Sequence, residues 1–141
     1  VPGLVVVTPA TPADNRGLLK AAIRCDDPVV YMEHKGLWGA EGEVEENDSD
    51  PIPLGIARKV LTGSDLTIVT WSAMVNVVKK AALSLADEGI SVEVIDLRTL
   101  WPWDKDSVFN SVKKTGRLMI VHEAVKVGGF GGEISSEVSV L

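Results

Sequence analysis

The chain has 141 residues, of which 45% are hydrophobic, so it can bury a core and is not a disordered polypeptide. Its formal net charge of −6 argues against nucleic-acid binding, which requires a basic excess. No apolar run approaches about 20 residues and the first residues lack a basic-then-apolar leader, so neither a membrane span nor a secretory signal is predicted. The single cysteine, Cys25, is interpreted as a small buried hydrophobe in a reducing compartment.

Residues 1–33 have the pattern of one β-α-β unit. The apolar run Leu4–Val7 predicts a strand buried on both faces. Thr11 and Pro12 then predict a helix start, as the N-cap and the first helical residue. A second buried strand is predicted over Val29–Met32, after Pro28 has ended the helix.

The stretch 33–53 changes to glycine, proline and acidic residues. Six carboxylates lie within Glu41–Asp50, but their spacing lacks the ligand pattern of a calcium loop. We interpret the stretch as a solvated acidic loop that separates two units, 1–50 and 51–141.

The second unit begins with strands predicted at Ala57–Leu61 and Leu66–Thr70, joined as a hairpin by the turn residues 62–65. Ser72 is predicted to cap a helix that extends to Glu88. The predicted apolar face of that helix consists of Met74, Val77, Val78, Ala81 and Leu85.

Two further β-α steps complete the pattern. Strands are predicted at Val92–Asp96 and Leu118–Val121, with a helix over Asp104–Lys114 between them and a last helix from Gly131. This order predicts an α/β fold of three αβα layers with a mostly parallel sheet.

Polar residues follow two of the predicted strands, at the strand ends where open α/β sheets bind ligands. His34 follows Glu33, and His122 precedes Glu123. Each histidine could act as a general base, but neighbouring residues of a strand point to opposite faces, which favours a structural role. The glycine-rich stretch 128–132 could cradle a phosphate, yet it lacks the GxGxxG spacing, which favours a tight turn.

Two further motifs, at 96–99 and 101–103, could each serve more than one role. The segment Asp96–Thr99 could hold a ligand or brace an interface through Arg98. The aromatic residues of Trp101-Pro102-Trp103 are interpreted as a subunit contact, since tryptophan is enriched at interfaces and the acidic net charge disfavours nucleic acid.

Several segments, in order along nearly the whole chain, carry a family resemblance: PGLVVVTPATPADNRGLLKAAI, PVVYMEH, GSDLTIVTW, GISVEVIDLRTLWPWD, VKKTGRLMIVHEA and GGFGGEIS. They resemble the β subunit of the thiamine-diphosphate-dependent decarboxylase of 2-oxo acid dehydrogenase complexes, a relative of transketolase. The resemblance implies a fragment in which residues 1–50 end a pyrimidine-binding domain and residues 51–141 form a truncated transketolase C-terminal-like domain.

The resemblance also implies where the chemistry lies. In this family the activating Glu and the active-site His lie upstream, and the α subunit holds the diphosphate and Mg²⁺. No catalytic or cofactor-binding residue is therefore assigned to this chain. A structural potassium ion is expected at the backbone carbonyls of Ala22, Cys25 and Asp27, since hard cations take oxygen ligands.

The implied parent reaction is oxidative decarboxylation of a 2-oxo acid with acyl transfer to a lipoyl group. The Trp103-Asp104 pair and the ISSEV run favour branched-chain substrates, with pyruvate and acetoin as alternatives. Expected partners are the α subunit, a second β subunit and the lipoyl acyltransferase core, without nucleic acid or membrane. The expected location is the cytoplasm, or the mitochondrial matrix in a eukaryote. A non-catalytic assembly module and a free-standing nucleotide-binding module remain as other classes.

Overall fold

The structure is a computed structural model that describes residues 3–44 and 51–141. These ranges contain seven strands and four α-helices, and none of the described helices is long and apolar enough to cross a membrane. In chain order they are β1 (Val5–Val7), α1 (Pro12–Arg24), β2 (Val29–Tyr31), β3 (Arg58–Leu61), β4 (Leu66–Thr70), α2 (Met74–Asp87), β5 (Val92–Asp96), β6 (Thr99–Trp101), α3 (Lys105–Thr115), β7 (Leu118–Val121) and α4 (Gly131–Val138). A 3₁₀ turn over Lys35–Leu37 follows β2.

The first sheet has the strand order β2-β1-β6. β1 and β2 are parallel and α1 connects them, which confirms the β-α-β unit predicted over 1–33. Thr11 is the N-cap of α1, as predicted, and its hydroxyl accepts the N–H of Asp14 at 3.2 Å. Leu18 packs with Val5 and Val7, so α1 is fixed across the strands with its first turn beside their carboxyl ends.

β2 is more exposed than its sequence predicted. The run Val29–Met32 predicted burial on both faces, but Val30 is 40% exposed and Met32 is 44% exposed. Within the residues that the structure describes, β2 pairs with β1 on one side only. Its position at the edge of the sheet therefore explains the exposure.

The second sheet has the strand order β3-β5-β4-β7. β4 is parallel to both β5 and β7, whereas β3 is antiparallel to β5. Side chains alternate between faces, so Ile68 and Val94 pack with α2 residues while Val69 and Ile95 pack with residues of α3 and α4. The predicted α/β class of three layers with mostly parallel strands is confirmed, with antiparallel strands at the margins of two sheets.

The predicted hairpin between β3 and β4 is wrong, because β5 lies between these strands. Their connection crosses over the start of β5, where the N–H groups of Ser64 and Asp65 both donate to the Ser91 carbonyl. At Gly63 a β-carbon would stand 2.2 Å from the Val92 carbonyl carbon, so only glycine allows this crossing.

α2 is rotated relative to the predicted apolar face. Its buried residues are Val75, Val78 and Ala82, whereas Val77 is 54% exposed. The helix begins at Met74 with Ala73 in the N-cap position, so the prediction that Ser72 caps it is also wrong. Apolar residues on two sides of this helix made the buried side ambiguous in the sequence.

The Trp101-Pro102-Trp103 segment divides between surface and core. Trp103 is 5% exposed and packs edge-on against Phe109 and Phe130, so its interpretation as a subunit contact is wrong. Trp101 is 44% exposed and ends β6, a strand that the sequence did not predict. β6 pairs antiparallel with β1, which lies more than ninety residues earlier in the chain.

Four charged side chains join α1 to the second sheet. Asp14, buried in the first turn of α1, lies 2.6 Å from the Arg98 guanidinium and 3.1 Å from that of Arg58. Arg58 also lies 3.3 Å from the buried carboxylate of Asp96. The Arg98 backbone N–H donates to Asp96 at 3.1 Å, which holds Arg98 in the left-handed conformation at φ 60°. The role that the sequence left open for Arg98 is therefore that of an internal brace.

Burial dominates the ionisation of Asp96. It raises the pKa of this carboxyl, Arg58 lowers it, and the charge of Asp14 raises it again, with a resulting pKa of about 6 against an ordinary value of 3.8. The folded chain thus binds this proton more tightly than the unfolded chain. The stability that Asp96 contributes is present below about pH 4 and is lost as the pH rises through about 6.

We expect Asp96→Asn to remove this pH dependence. Between about pH 4 and 7, the free energy of unfolding of the parent chain should fall relative to that of the variant, by about 3 kcal/mol at most, since one pKa unit is about 1.4 kcal/mol. Denaturant unfolding followed by tryptophan fluorescence measures the difference. The exposed Asp87→Asn is the control and should run parallel to the parent, and a parallel curve for Asp96→Asn would contradict the shift.

Candidate functional site

A cavity of about 300 Å³ opens at the carboxyl ends of β1 and β2. Residues that follow each strand line it, together with the first turn of α1, as the general rule for ligand sites in α/β sheets predicts. Apolar walls come from Pro12, Leu37 and Trp38, and polar groups from Asn15, Glu33 and His34. The Trp38 side chain is 69% exposed, so one aromatic wall of the cavity remains open to solvent.

A chain of hydrogen bonds reaches the carboxylate at this cavity. The Tyr31 hydroxyl lies 2.6 Å from the Asn15 side-chain oxygen and 2.9 Å from the Asn15 carbonyl oxygen, so its one proton can go to either acceptor of that residue. The Asn15 amide nitrogen donates to Glu33 Oε1 at 2.9 Å. The exposed Glu33 carboxylate is therefore linked through Asn15 to a half-buried tyrosine.

Tyr31 stays protonated in this arrangement. Burial is the largest cause that raises the pKa of its phenol, and the negative charges of Glu33 and Asp14 raise it further. The hydroxyl therefore acts as a donor to Asn15.

The two His-Glu motifs, Glu33-His34 and His122-Glu123, contact each other through His34 and Glu123. His34 Nε2 lies 3.1 Å from Glu123 Oε2, so the loop after β2 contacts the loop after β7. His34 Nδ1 accepts the backbone N–H of Gly36 at 3.0 Å, which places the ring proton on Nε2, toward Glu123. Both nitrogens of His34 are thus engaged in structural contacts.

His122 points away from Glu123 and into the protein. Its ring stacks on Trp71 with centroids 5.0 Å apart and an interplanar angle of 12°. These contacts favour a structural role, because the half-buried ring is packed against Trp71 and the glycine-rich stretch. A β-carbon at Gly131 would stand 2.5 Å from His122 Nε2, and one at Gly129 would stand 2.9 Å from Cε1.

The glycine-rich stretch 128–132 is therefore a close-packing turn and not an open cradle. The His122 ring occupies the space that side chains at Gly129 and Gly131 would need. Helix α4 begins at Gly131. This outcome supports the tight turn over the phosphate site, in agreement with the missing GxGxxG spacing.

The cavity residues Asn15 and Trp38 were not singled out from the sequence, and neither was Tyr31, which contacts Asn15 from outside the cavity wall. Their positions show what signal existed. Asn15 follows the helix start at Thr11-Pro12, and Trp38 is an aromatic residue in a glycine-rich loop beyond a strand end. An aromatic residue in a loop of this kind is expected to be exposed and available for a contact.

The cavity does not fit the diphosphate of thiamine diphosphate, the cofactor that the resemblance implies. No Lys or Arg lines it, and the Glu33 carboxylate would repel a diphosphate. In residues 3–44 and 51–141, no group of three or more His, Cys, Asp or Glu side chains could hold a metal ion such as Mg²⁺.

The three residues expected to hold potassium lie together where α1 ends. The Ala22 carbonyl accepts the N–H of Cys25 at 3.3 Å, and Asp27 is exposed two residues later. The last carbonyls of a helix lack partners within the helix and carry the negative end of its dipole. These backbone oxygens are of the type that suits a monovalent cation.

The acidic stretch Glu41–Asp50 is only partly described. Glu41 and Glu43 are exposed, as expected for a solvated loop, and residues 45–50 lie outside the described ranges.

We expect Gly131→Ala to destabilise the fold by roughly 1–3 kcal/mol, because its methyl group would overlap the His122 ring and Trp71 blocks retreat of that ring. Thermal or denaturant unfolding measures this effect. Gly132→Ala, where no atom lies within 4 Å of the new carbon, is the matched control and should be neutral or stabilising. The cost of Gly131→Ala should shrink in a His122→Ala background, and an unchanged cost there would contradict the proposed overlap.

Sequence relatives of the chain are β subunits of several oxidoreductases. It is 50% identical over 139 residues to the acetoin:2,6-dichlorophenolindophenol oxidoreductase subunit beta of Cupriavidus necator, covering 99% of this chain and 41% of that protein. It is 48% identical to the pyruvate dehydrogenase E1 component subunit beta of Acholeplasma laidlawii, covering 99% and 42%. It is 47% identical to the 2-oxoisovalerate dehydrogenase subunit beta 2, mitochondrial, of Arabidopsis thaliana, covering 98% and 38%. The chain thus spans about two fifths of the length of these relatives.

The fold has a close counterpart among solved structures. A split gene transketolase, described as an inactive beta4 tetramer, superimposes with a TM-score of 0.86 at 28% identity, over 99% of this chain and 45% of that one. Residues 55–140 match the family described as "Transketolase, C-terminal domain". They include the whole second sheet, the Asp96–Arg98 brace and the His122 packing. The chain therefore belongs to the transketolase C-terminal domain family.

Proposed function

We propose that this chain is part of the β subunit of a thiamine-diphosphate-dependent 2-oxo acid dehydrogenase. The parent enzyme would decarboxylate a 2-oxo acid oxidatively and transfer the acyl group to a lipoyl group. The observation that carries this proposal is 47–50% identity, along 98–99% of the chain, to β subunits of acetoin, pyruvate and 2-oxoisovalerate oxidoreductases.

Within that parent we assign the described residues a structural and assembly role. The cavity lacks cationic side chains for a diphosphate, and His34 and His122 are both held by structural contacts. The chemistry would then lie on residues outside this segment. Thiamine diphosphate and Mg²⁺ belong to the parent enzyme in this proposal, and no residue of this chain is assigned to them.

We also propose two structural units, residues 1–50 and residues 51–141. Two separate sheets support this division, each with its own hydrophobic cluster. The family match starts at residue 55, close to the proposed boundary. β6 crosses the boundary in space, because it belongs to the second unit and completes the first sheet.

A branched-chain 2-oxo acid is the favoured substrate in this proposal, with pyruvate and acetoin as the runners-up. The lean rests on the Trp103-Asp104 pair and the ISSEV run, each of which has one residue in the core. Trp103 is buried, Asp104 caps α3, and Ile134 is fully buried. Identities of 50%, 48% and 47% to relatives named for three substrates do not separate them.

The proposed partners are the α subunit, a second β subunit and the lipoyl acyltransferase core. The beta4 tetramer of the structural neighbour supports self-association of this fold. The location would follow the host, because the relatives from Arabidopsis thaliana and Dictyostelium discoideum are named mitochondrial. A bacterial parent would act in the cytoplasm.

A dye-linked oxidation assay tests the proposal. The chain and an upstream-extended version are each combined with the cognate α subunit, thiamine diphosphate and Mg²⁺, and offered 2-oxoisovalerate, pyruvate or acetoin. We expect turnover only with the extended version, and the fastest substrate identifies the type. Failure of the extended version on all three would overturn the function, whereas turnover by the chain itself would overturn its structural role.

We further propose that the carbonyls of Ala22, Cys25 and Asp27 hold a structural potassium ion. Such binding would stabilise the fold by roughly 1–2 kcal/mol when potassium exceeds its dissociation constant about tenfold. Thermal unfolding in KCl and in NaCl of equal ionic strength measures this, and the KCl midpoint should be a few degrees higher. Asp27→Asn keeps the backbone oxygen and should retain the difference, and equal midpoints in the two salts for the parent chain would contradict the site.

A further inference from the structure

We propose that the cavity at the ends of β1 and β2 binds a small organic cation, an ammonium group that carries apolar substituents. The first argument is the carboxylate of Glu33. Glu33 Oε1 is held by the Asn15 amide, and Asn15 is contacted in turn by the Tyr31 hydroxyl. Glu33 Oε2 has no hydrogen-bond partner among the described residues. One hydrogen bond thus ties this exposed carboxylate to the cavity wall and leaves its second oxygen available to a ligand.

The second argument is the charge of the lining. Glu33 is the acidic side chain of the cavity wall, and no Lys or Arg contributes to that wall. His34 also lines it, with its Nε2 proton directed to Glu123 and its Nδ1 occupied by Gly36. The local charge therefore favours a cation and disfavours carboxylates and phosphates.

The first turn of α1 does not reverse this preference. A helix N-terminus attracts anions through its free N–H groups. Here Pro12 has no N–H, and the N–H of Asp14 is already bound by the Thr11 hydroxyl. The carboxylate of Asp14 at this end of the helix is buried and paired with Arg58 and Arg98, so it adds no negative charge to the cavity.

The third argument is the aromatic wall. Trp38 lines the cavity and keeps 69% of its side chain exposed, so its ring face can be covered by a ligand. A cation over an indole ring is attracted by the ring quadrupole, and tryptophan is the strongest of the aromatic residues in this respect. Proline and leucine side chains complete the wall, which suits methyl groups on the nitrogen. A carboxylate and an indole around about 300 Å³ leave room for a ligand of the size of choline.

Titration followed by the Trp38 indole N–H resonance in NMR spectra of the labelled chain tests this site. Choline is the probe, and neohexanol, which replaces the trimethylammonium by a tert-butyl group, is its neutral counterpart. Trp38→Phe assigns the resonance. We expect saturable shifts with choline and at least fivefold weaker binding of neohexanol, because cation–π attraction and the carboxylate both require charge. N-acetyl-lysine methylamide forms a third arm. Tighter binding of the lysine derivative would assign the site to a partner protein's side chain, and tighter binding of choline to a free ammonium compound.

Glu33→Gln is the decisive variant, since its side-chain oxygen can still accept from Asn15 while the charge is lost. We expect choline binding to weaken roughly tenfold and its advantage over neohexanol to disappear. Glu41→Gln removes the same charge from the same loop outside the cavity wall, and it should change binding less than twofold. No saturable shift of the Trp38 resonance, equal binding of the neutral probe, or equal effects of the two variants would each overturn the proposal.

Discussion

The structure depends on one carboxylate, that of Asp96, at the end of β5. This carboxylate accepts the Arg98 backbone N–H. Arg98 accordingly adopts a left-handed backbone conformation two residues after the buried strand ends. That conformation directs the Arg98 guanidinium back to Asp14 and starts β6 in the opposite direction, beside β1. The Arg98 carbonyl accepts the Thr8 N–H at 2.8 Å, and the Thr99 hydroxyl accepts the Gly55 N–H at 3.1 Å. Both sheets and the segment between them are therefore positioned from four consecutive residues.

A second consequence of this arrangement concerns the edge where ligands would approach. Strands of both sheets end on the side where His34 meets Glu123, so loops from distant parts of the sequence form one surface. On the second sheet that edge is filled, because His122 lies between Trp71 and two glycines. On the first sheet it stays open as the cavity beside Trp38. The Glu33-His34 pair therefore lines an open cavity, whereas His122 of the His122-Glu123 pair is packed against the protein. The residues around each pair account for this difference.

Local patterns predicted most elements of this fold. Thr11-Pro12 marked the start of α1, and the predicted apolar strands agree with the observed ones to within a few residues. The errors arose where distant residues decide the outcome. β6 is short and its partner β1 lies far away in sequence, and the crossing at Gly63 separates two strands that looked like a hairpin. The cavity shares this cause, since Asn15, Glu33 and Trp38 meet only after folding. Periodicity reports which residues are apolar, whereas pairing and cavities depend on the whole chain.

The position of β6 has a consequence for any division of this chain. The first sheet takes its third strand from the second half, so the early segment does not form a self-contained piece. A cut in the acidic stretch between the halves would break one covalent link and leave the shared strand, the ion pairs of Asp14 and the contact of Ile52 with Gly17 in place. The two halves would behave as complementing fragments, held by the same contacts that hold the intact chain. In this architecture, continuity of the backbone and integrity of the fold are separate properties.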